Sequence, residues 1–131
     1  MADQASVTID LPWPPTANRY WRNVNGRMVL SRDGRRYREA VDGLVWKQFC
    51  ESGPVGFGES HLELTIEAYP PDRRRRDLDN LLKPLLDALQ HAGLFADDSQ
   101  IVSLQIRRRC VAAYGLVRVC LTAISHDENV F

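Results

Sequence analysis

Two aspartates spaced two residues apart, Asp77 and Asp79, follow a run of four arginines in the stretch DRRRRDLDN. In an extended chain, residues i and i+2 point to the same side, so the two carboxylates are expected to lie close together. Carboxylates held together repel each other unless a cation lies between them, and hard oxygen ligands of this type suit Mg²⁺ or Mn²⁺. The stretch therefore indicates a divalent-metal site beside side chains that attract phosphate.

Asp98, in the stretch FADDSQ, is the candidate for a third metal ligand, with Asp97 adjacent to it. A helix between Asp79 and Asp98 would return the chain toward its start. Neighbouring strand ends would then bring Asp98 beside Asp77 and Asp79. Lys83 falls one helical turn after Asp79, where its ammonium group could contact a bound phosphate or a leaving oxygen.

Each of these residues also has a purely structural interpretation. Asp79 is a residue type that caps helices, and Asp97 and Asp98 are typical turn formers. Lys83 could form ordinary i, i+4 pairs on a helix surface with Asp79 and Asp87. Capping alone explains the combination less well, because four arginines, D-x-D, a lysine one turn later and D-D after the helix occur together.

The positive charge is concentrated in arginine-rich segments, although the formal net charge is zero. Residues 19–38 carry seven arginines and one acid, residues 71–76 carry four arginines and one acid, and residues 107–109 are all arginine. Such patches favour nucleic-acid binding, because the arginine fork suits bidentate contact with phosphate. The alternative is a solvated surface that happens to favour arginine. The candidate nucleic-acid-binding residues are Arg19, Arg73, Arg74, Arg75 and Arg76.

The composition predicts one globular domain, residues 1–131, in the cytoplasm. The chain has 131 residues, of which 44% are hydrophobic and 26% charged. It contains no 18-residue apolar run and begins without a signal-peptide pattern. The three cysteines lack C-x-x-C spacing and are expected to be reduced core thiols. A zinc site from Cys110, Cys120 and His126 fits no common spacing.

Alternating and helical periodicities predict an α+β fold with a mixed β-sheet and two main helices packed on one face. Asn25-Gly26 marks a tight hairpin, and Pro84 predicts either a late start or a kinked first turn for the second helix. The last two strands are expected to form a hairpin around 112–115, and 125–131 to be a loose tail. The predicted strands are Ser6–Leu11, a hairpin within Tyr20–Leu30, His61–Tyr69, Ser99–Arg109 and Gly115–Ile124; the predicted helices start at Ser31 and after Asn80.

The chain resembles the RusA family of Holliday junction resolvases. The resemblance rests on LPWPPTANRYWR, GRRYREAV and PPDRRRRDLDNLLKPLLDALQHAGLFADDSQI, followed by a closing strand pair. It implies a Mg²⁺-dependent homodimeric endonuclease that cuts four-way DNA junctions by paired nicks, in a bacterial or phage-infected cell. It also implies that Asp77, Asp79 and Asp98 match the catalytic, metal-binding acids and that Lys83 matches the important lysine.

Two other functions remain open on sequence grounds. One is a non-catalytic branched-DNA-binding protein whose acid cluster is structural. The other is a D-x-D enzyme that binds a Mg²⁺-nucleotide, although no glycine-rich phosphate loop is present. Trp13 is expected to pack at the exit of the first strand, and Trp21 and Trp46 to lie in the core or in a subunit interface.

Overall fold

The computed structural model describes residues 5–53 and 57–124, and the predicted tail and His126 lie outside these ranges. None of the helices within the ranges combines the length and apolar character needed to cross a lipid bilayer. The strands are β1 (Ser6–Leu11), β2 (Trp21–Val24), β3 (Arg27–Leu30), β4 (His61–Tyr69), β5 (Ile101–Arg108) and β6 (Leu116–Ile124). The helices are α1 (Ala17–Tyr20), α2 (Arg32–Ser52) and α3 (Asp79–His91), and a 3₁₀ turn spans Asp98–Gln100.

Four of the strands form one mixed sheet in the order β1-β6-β4-β5. β6 runs antiparallel to both β1 and β4, whereas β5 runs parallel to β4. In this register Leu64 lies opposite Leu121 on one side and Leu104 on the other. Because parallel strands need a crossover connection, α3 serves as the helix of a β4-α3-β5 unit. The mixed sheet of the predicted α+β fold is confirmed.

The predicted hairpin between β5 and β6 is wrong, because β4 lies between these strands. A turn does join them, with the Gly115 amide donating to the Ala112 carbonyl at 2.9 Å. The connection passes around the end of β4, since the Arg109 amide bonds to the Ala68 carbonyl at 2.7 Å and the Ala112 amide to the Pro70 carbonyl at 2.9 Å. Two apolar strands joined by a short turn normally pair. Here the central strand takes both of them as partners instead.

Several local predictions agree with the structure. β1 and β4 have the predicted bounds. The β2–β3 hairpin turns at Asn25 and Gly26, whose φ angles of 53° and 79° are those that a two-residue hairpin turn requires. The four-residue helix α1 was not predicted, because one helical turn has no periodicity to detect.

One face of the sheet carries the core. The side chains of Leu62, Leu64, Ile66 and Ala68 are each 0% exposed, and they pack in one cluster with the buried faces of α2 and α3. Full burial of a large aliphatic side chain contributes about 1.5–3 kcal/mol, so the buried face of β4 contributes strongly to the stability of the sheet. The opposite face of β4 is only half-buried or exposed, which confirms that the helices cover one side.

Helix α2 begins where the sequence predicts it. The Ser31 hydroxyl accepts a hydrogen bond from the Gly34 amide at 2.9 Å and is therefore the N-cap. Gly34 is buried, and a Cβ atom there would collide with the Tyr20 carbonyl oxygen and lie 2.9 Å from Leu30 Cδ1. The glycine therefore lets α2 pack directly against the end of α1. The helix ends at Ser52.

Helix α3 accommodates Pro84 by tightening its first turn. The amides of Asn80 and Leu81 bond to the carbonyls of Asp77 and Leu78, each at 3.2 Å, in an i to i−3 pattern. The helix ends in a Schellman motif, with Gly93 at a φ of 87° and the Leu94 amide bonded to the Leu89 carbonyl at 3.2 Å. The helix begins at Asp79, so the late-start alternative is wrong.

The cysteine prediction is wrong in its placement. All three thiols are free, but Cys50 and Cys110 are exposed and Cys120 is half-buried. Trp13 packs against the core as predicted, and so does Trp21. Trp46 is 69% exposed and is therefore not a core residue.

Candidate active site

Asp77 and Asp79 lie where the loop after β4 turns into α3. Asp79 is the first residue of the helix, but the N-cap is Leu78, and no side chain caps this end. Both aspartates are exposed, and within the described ranges neither carboxylate takes part in a hydrogen bond or ion pair. Helix capping therefore does not explain them. Two unpartnered carboxylates are a suitable donor set for a hard divalent cation.

Lys83 is exposed one turn into α3 and, among the described residues, also has no ion-pair partner. The predicted surface pairs with Asp79 and Asp87 are not formed. Asp87 is instead held by Arg38 of α2, with Nε–Oδ2 at 2.9 Å and Nη2–Oδ1 at 3.1 Å. The Lys83 ammonium is thus free to meet an anion at the same end of the helix as Asp79.

The arginine run 73–76 divides into two parts. Arg76 has a structural role, because its side chain is only 23% exposed and donates to Asp72 Oδ1 at 2.7 Å. Its guanidinium carbon also lies 5.8 Å from the centre of the Trp13 ring. The hydrogen bond from Arg76, and a second from the Arg74 amide, lower the pKa of Asp72 to about 2. Arg73, Arg74 and Arg75 are exposed; the Arg74 side chain is 83% exposed and makes only a long ion pair with Asp72, with Nε–Oδ2 at 3.7 Å. These three are the arginines of the run that remain available to a ligand.

The other arginine segments divide in the same way. Arg19 and Arg107 are exposed. The Arg109 side chain pairs with Glu67 at 2.7 Å, and the Arg108 Nη2 atom donates to the Arg76 carbonyl at 2.5 Å. The last contact fixes the end of β5 beside the start of the D-x-D segment.

Asp98 lies at the opposite end of α3 from Asp77 and Asp79. In a β-α-β unit the helix starts near the end of the first strand and finishes near the start of the second. A helix of 13 residues is about 20 Å long, so α3 separates the end of β4 from the start of β5 by about that distance. Asp98 lines a cavity with Lys83 and Gln90, whereas Asp77 lines a different one with Asn80. The expectation that a single chain brings the three acids together is therefore not met.

Asp97 has the structural role that was one of its two interpretations. Its carboxylate accepts from the Ser99 amide at 3.0 Å, and its own amide donates to Gln100 Oε1 at 2.9 Å. The Ser99 amide lowers the pKa of Asp97, while the hydrogen bond with Asp97 raises the pKa of Asp98. Gln100 also donates to the carbonyls of Gly58 and Ser60, both at 2.9 Å. These bonds hold Asp98 on a rigid turn.

A partly buried network that no sequence pattern indicated connects the three helices. The Tyr20 side chain is 0% exposed, and its hydroxyl donates to Asp87, which Arg38 also holds. Burial and the Asp87 carboxylate raise the pKa of Tyr20. The three residues lie 18 and 49 positions apart, so no local spacing in the sequence relates them. The network fixes the face of α3 from which Lys83 projects.

Within the described ranges, no three His, Cys, Asp or Glu side chains lie close enough together to hold a metal ion. Asp77 and Asp79 nevertheless supply hard oxygen donors that no protein group engages. That Asp77 and Asp79 bind a divalent cation remains a prediction.

Comparison with known proteins decides the family. The family model for Endodeoxyribonuclease RusA matches residues 12–120. The chain belongs to the RusA family. It is 37% identical over 122 residues to the Crossover junction endodeoxyribonuclease RusA of Shigella sonnei (strain Ss046), covering 93% of this chain and 98% of the relative. The Escherichia coli (strain K12) protein of the same name gives the same values.

A phage relative has the same level of similarity. The Crossover junction endodeoxyribonuclease rusA of Enterobacteria phage 82 is 37% identical over 119 residues, covering 91% of this chain and 96% of the relative. The predicted RusA membership is confirmed, and the match includes the whole D-x-D segment, α3 and Asp98. The individual roles of Asp77, Asp79, Asp98 and Lys83 remain predictions.

Proposed function

We propose that this protein is a Mg²⁺-dependent endodeoxyribonuclease that resolves four-way DNA junctions by paired nicks, as a homodimer, in DNA recombination and repair. The family match over nearly the whole chain carries the proposal, since the relatives are named crossover junction endodeoxyribonucleases. We place the activity in the cytoplasm of a bacterial or phage-infected cell. The unpartnered Asp77, Asp79 and Lys83 support a catalytic rather than a purely binding function.

The arginines would position the DNA. Arg73, Arg74 and Arg75 are exposed in the loop that precedes Asp77, so phosphates bound by them lie next to the carboxylates. Arg19 would add a contact from the end of α1. Contacts of this kind fix the register of the backbone and carry no base sequence information.

The acidic residues and Lys83 would act on the bound phosphodiester. Asp77, Asp79 and Asp98 are the side chains that would hold Mg²⁺, and Mn²⁺ fits the same hard donors. When bound, the ion supplies Lewis-acid polarisation of the phosphate and a more acidic water. Lys83 would place its ammonium beside the phosphate or the leaving oxygen and stabilise the negative charge that develops there.

The test uses a labelled synthetic four-way junction and a linear duplex of matching sequence. Each is incubated with the protein in Mg²⁺, in Mn²⁺ and in EDTA. We expect symmetric nicks in the junction with either metal, no nicks in EDTA and little cutting of the duplex. Junction binding without nicks would instead support the non-catalytic DNA-binding protein. Absence of junction binding would support the third hypothesis, an enzyme that binds a Mg²⁺-nucleotide.

A further inference from the structure

Lys83 lies one helical turn from an aspartate on either side along α3, yet it pairs with neither. Asp79 precedes it by four residues and Asp87 follows it by four, the spacing at which opposite charges on a helix normally meet. Lys83 and Asp87 also line one cavity of about 490 Å³. Within the described ranges Lys83 nevertheless has no ion-pair partner. The fold therefore keeps the Asp87 carboxylate away from the ammonium.

Arg38 of α2 is the group that occupies Asp87. Its Nη2 atom donates to Oδ1 at 3.1 Å and its Nε atom to Oδ2 at 2.9 Å, so the guanidinium fork holds both carboxylate oxygens. Tyr20 also donates its hydroxyl to Oδ2. Among the described residues, Oδ1 has no donor other than Arg38. Removal of the Arg38 side chain would therefore leave this oxygen without a partner.

Lys83 is the cation best placed to take over that oxygen. In the part of the chain that the structure describes, the basic side chains of the two cavities that Asp87 lines are Arg38, Lys83 and His91. His91 already faces Asp42, with Nε2–Oδ2 at 3.4 Å. The Asp87 side chain is only 29% exposed, so a carboxylate left unpaired there is poorly solvated and attracts a free cation. Without Arg38, we expect that cation to be Lys83.

We propose that Arg38 is a positioning residue: by holding both oxygens of Asp87, it keeps the Lys83 ammonium unpaired and available to a phosphate. The inference rests on the proposed nuclease function, in which Lys83 acts on the phosphodiester. Arg38 is assigned no contact with the DNA. The ion pair between α2 and α3 thereby has a role in the reaction besides its contribution to the fold, and its two partners are not equivalent for cleavage.

The state of Lys83 can be observed directly, because Lys47 and Lys83 are the only lysines of the chain. Reductive methylation with ¹³C-formaldehyde keeps the positive charge and gives each lysine an NMR signal. The Lys83 signal should shift in Arg38→Ala and return to its wild-type position when Asp87→Asn is added. The Lys47 signal is the internal control and should not move, because Lys47 lies 4.0 Å from Glu51 on the same helix. A Lys83 signal that ignores Arg38→Ala would overturn the proposal.

Single-turnover cleavage of a four-way junction at saturating protein measures the consequence for the reaction. Arg38→Ala should lower the cleavage rate by about 10-fold or more, the effect of one charged hydrogen bond, while junction affinity is retained. Asp87→Asn should cut at nearly the wild-type rate, and adding it to Arg38→Ala should restore cleavage. A purely structural ion pair predicts instead that loss of either partner impairs cleavage. Asp87→Asn as slow as Arg38→Ala, or a double variant without recovery, would refute the positioning role.

Arg36→Ala is the matched control, because it removes an exposed arginine from the same helix. It should leave the saturating cleavage rate unchanged, and a loss equal to that of Arg38→Ala would refute the proposal. Thermal melts check that each variant is folded at the assay temperature. If Arg38→Ala is not, Arg38→Gln, which keeps most of the side chain without its charge, replaces it in both experiments. Wild-type protein that fails to cut would contradict the proposed function, and the NMR comparison would still decide whether Arg38 keeps Lys83 unpaired.

Discussion

Asp72 and Asp77 belong to the same loop, yet only the carboxylate of Asp72 is hydrogen-bonded among the described residues. Asp72 accepts from Arg76 and from the Arg74 amide, which lower its pKa to about 2. Among the described residues Asp77 and Asp79 have no such partners. The lack of partners leaves both carboxylates available to a cation, as the predicted metal site requires.

We therefore expect Asp77→Asn and Asp79→Asn to lose junction cleavage by at least about 100-fold while junction binding is retained, because each removes one ligand charge and keeps the side-chain shape. Thermal stability should be unchanged or slightly higher, since repulsion is relieved. Asp33→Asn, an exposed site on α2, is the control for charge and should cut normally. Near wild-type cleavage by either active-site variant would remove that residue from the metal site.

Arginines of the same run should behave differently. Arg74→Ala or Arg75→Ala should weaken junction binding and reduce the slope of log K against log salt by about 1, because fewer counterions are released. Their thermal stability should stay the same. Arg76→Ala should lower thermal stability, since it loses the pair with Asp72 and the contact with Trp13. Binding across a salt series and thermal melts separate the two classes, and equal effects would contradict the division.

The sequence identified the chemical groups but not their partners. D-x-D, Lys83 and the arginine run are visible because they are local. That Arg76 rather than Arg74 packs on Trp13 depends on where β1 ends relative to β4, which local spacing does not encode. The Tyr20–Arg38–Asp87 network was missed for the same reason.

At the scale of elements, the periodicity of apolar residues was sufficient to predict a strand or helix that packs on the core with one face. β1, β4 and the start of α2 follow from alternation and from the Ser31 cap. The sequence did not predict that β5 and β6 are not neighbours, because a short connection normally indicates a hairpin. Only the position of β4 between the two strands excludes it. Asp98 lies at the far end of α3 because β5 runs parallel to β4.

The close approach of α2 to α1 gives a matched pair of glycine variants. Gly34→Ala should destabilise the protein by about 1–3 kcal/mol, because the new Cβ meets the Tyr20 carbonyl, which is backbone and cannot rotate away. Gly43→Ala in the same helix meets nothing within 4 Å and should stabilise by about 0.5–1 kcal/mol. Denaturant unfolding measures both. A stabilising Gly34→Ala would contradict this packing.

The helix network predicts a pH dependence. Burial alone would raise the pKa of Asp87, but hydrogen bonds from Arg38 and Tyr20 outweigh it and the net pKa is lowered. A lowered folded-state pKa adds stability above the unfolded pKa, about 3.9, and this is lost as the pH falls through the folded value. The melting-temperature difference between wild type and Asp87→Asn should be constant near neutral pH and shrink below about pH 4. A difference that persists in acid would contradict the ion-pair origin.

At the scale of the whole molecule, the proposed dimer would reconcile zero net charge with DNA binding. Two-fold symmetry would repeat the exposed arginine loop on one surface and present two sites to one junction. Resolution into ligatable duplexes needs nicks in two opposed strands, which a single site does not provide in one binding event.

Mixing wild-type with Asp79→Asn subunits tests this requirement. Light scattering should first show a particle of twice the 14.9 kDa chain mass. The heterodimer should then nick one strand and leave the junction unresolved, because one of its sites lacks a ligand charge. Paired cuts made by a protein that is monomeric at the working concentration would exclude the dimer mechanism.

The pairing of β1 with β6 has a consequence for synthesis of the chain. Ser6 of β1 pairs with Thr122 of β6, so β1 cannot pair until β6 has been synthesised. One edge of β4 also remains unpaired until β6 has been synthesised. Such distant partners raise the contact order and slow folding. Until β6 has been synthesised, the nascent chain would expose an apolar, incompletely paired sheet, so we infer that this sheet closes only when its first and last strands are both available.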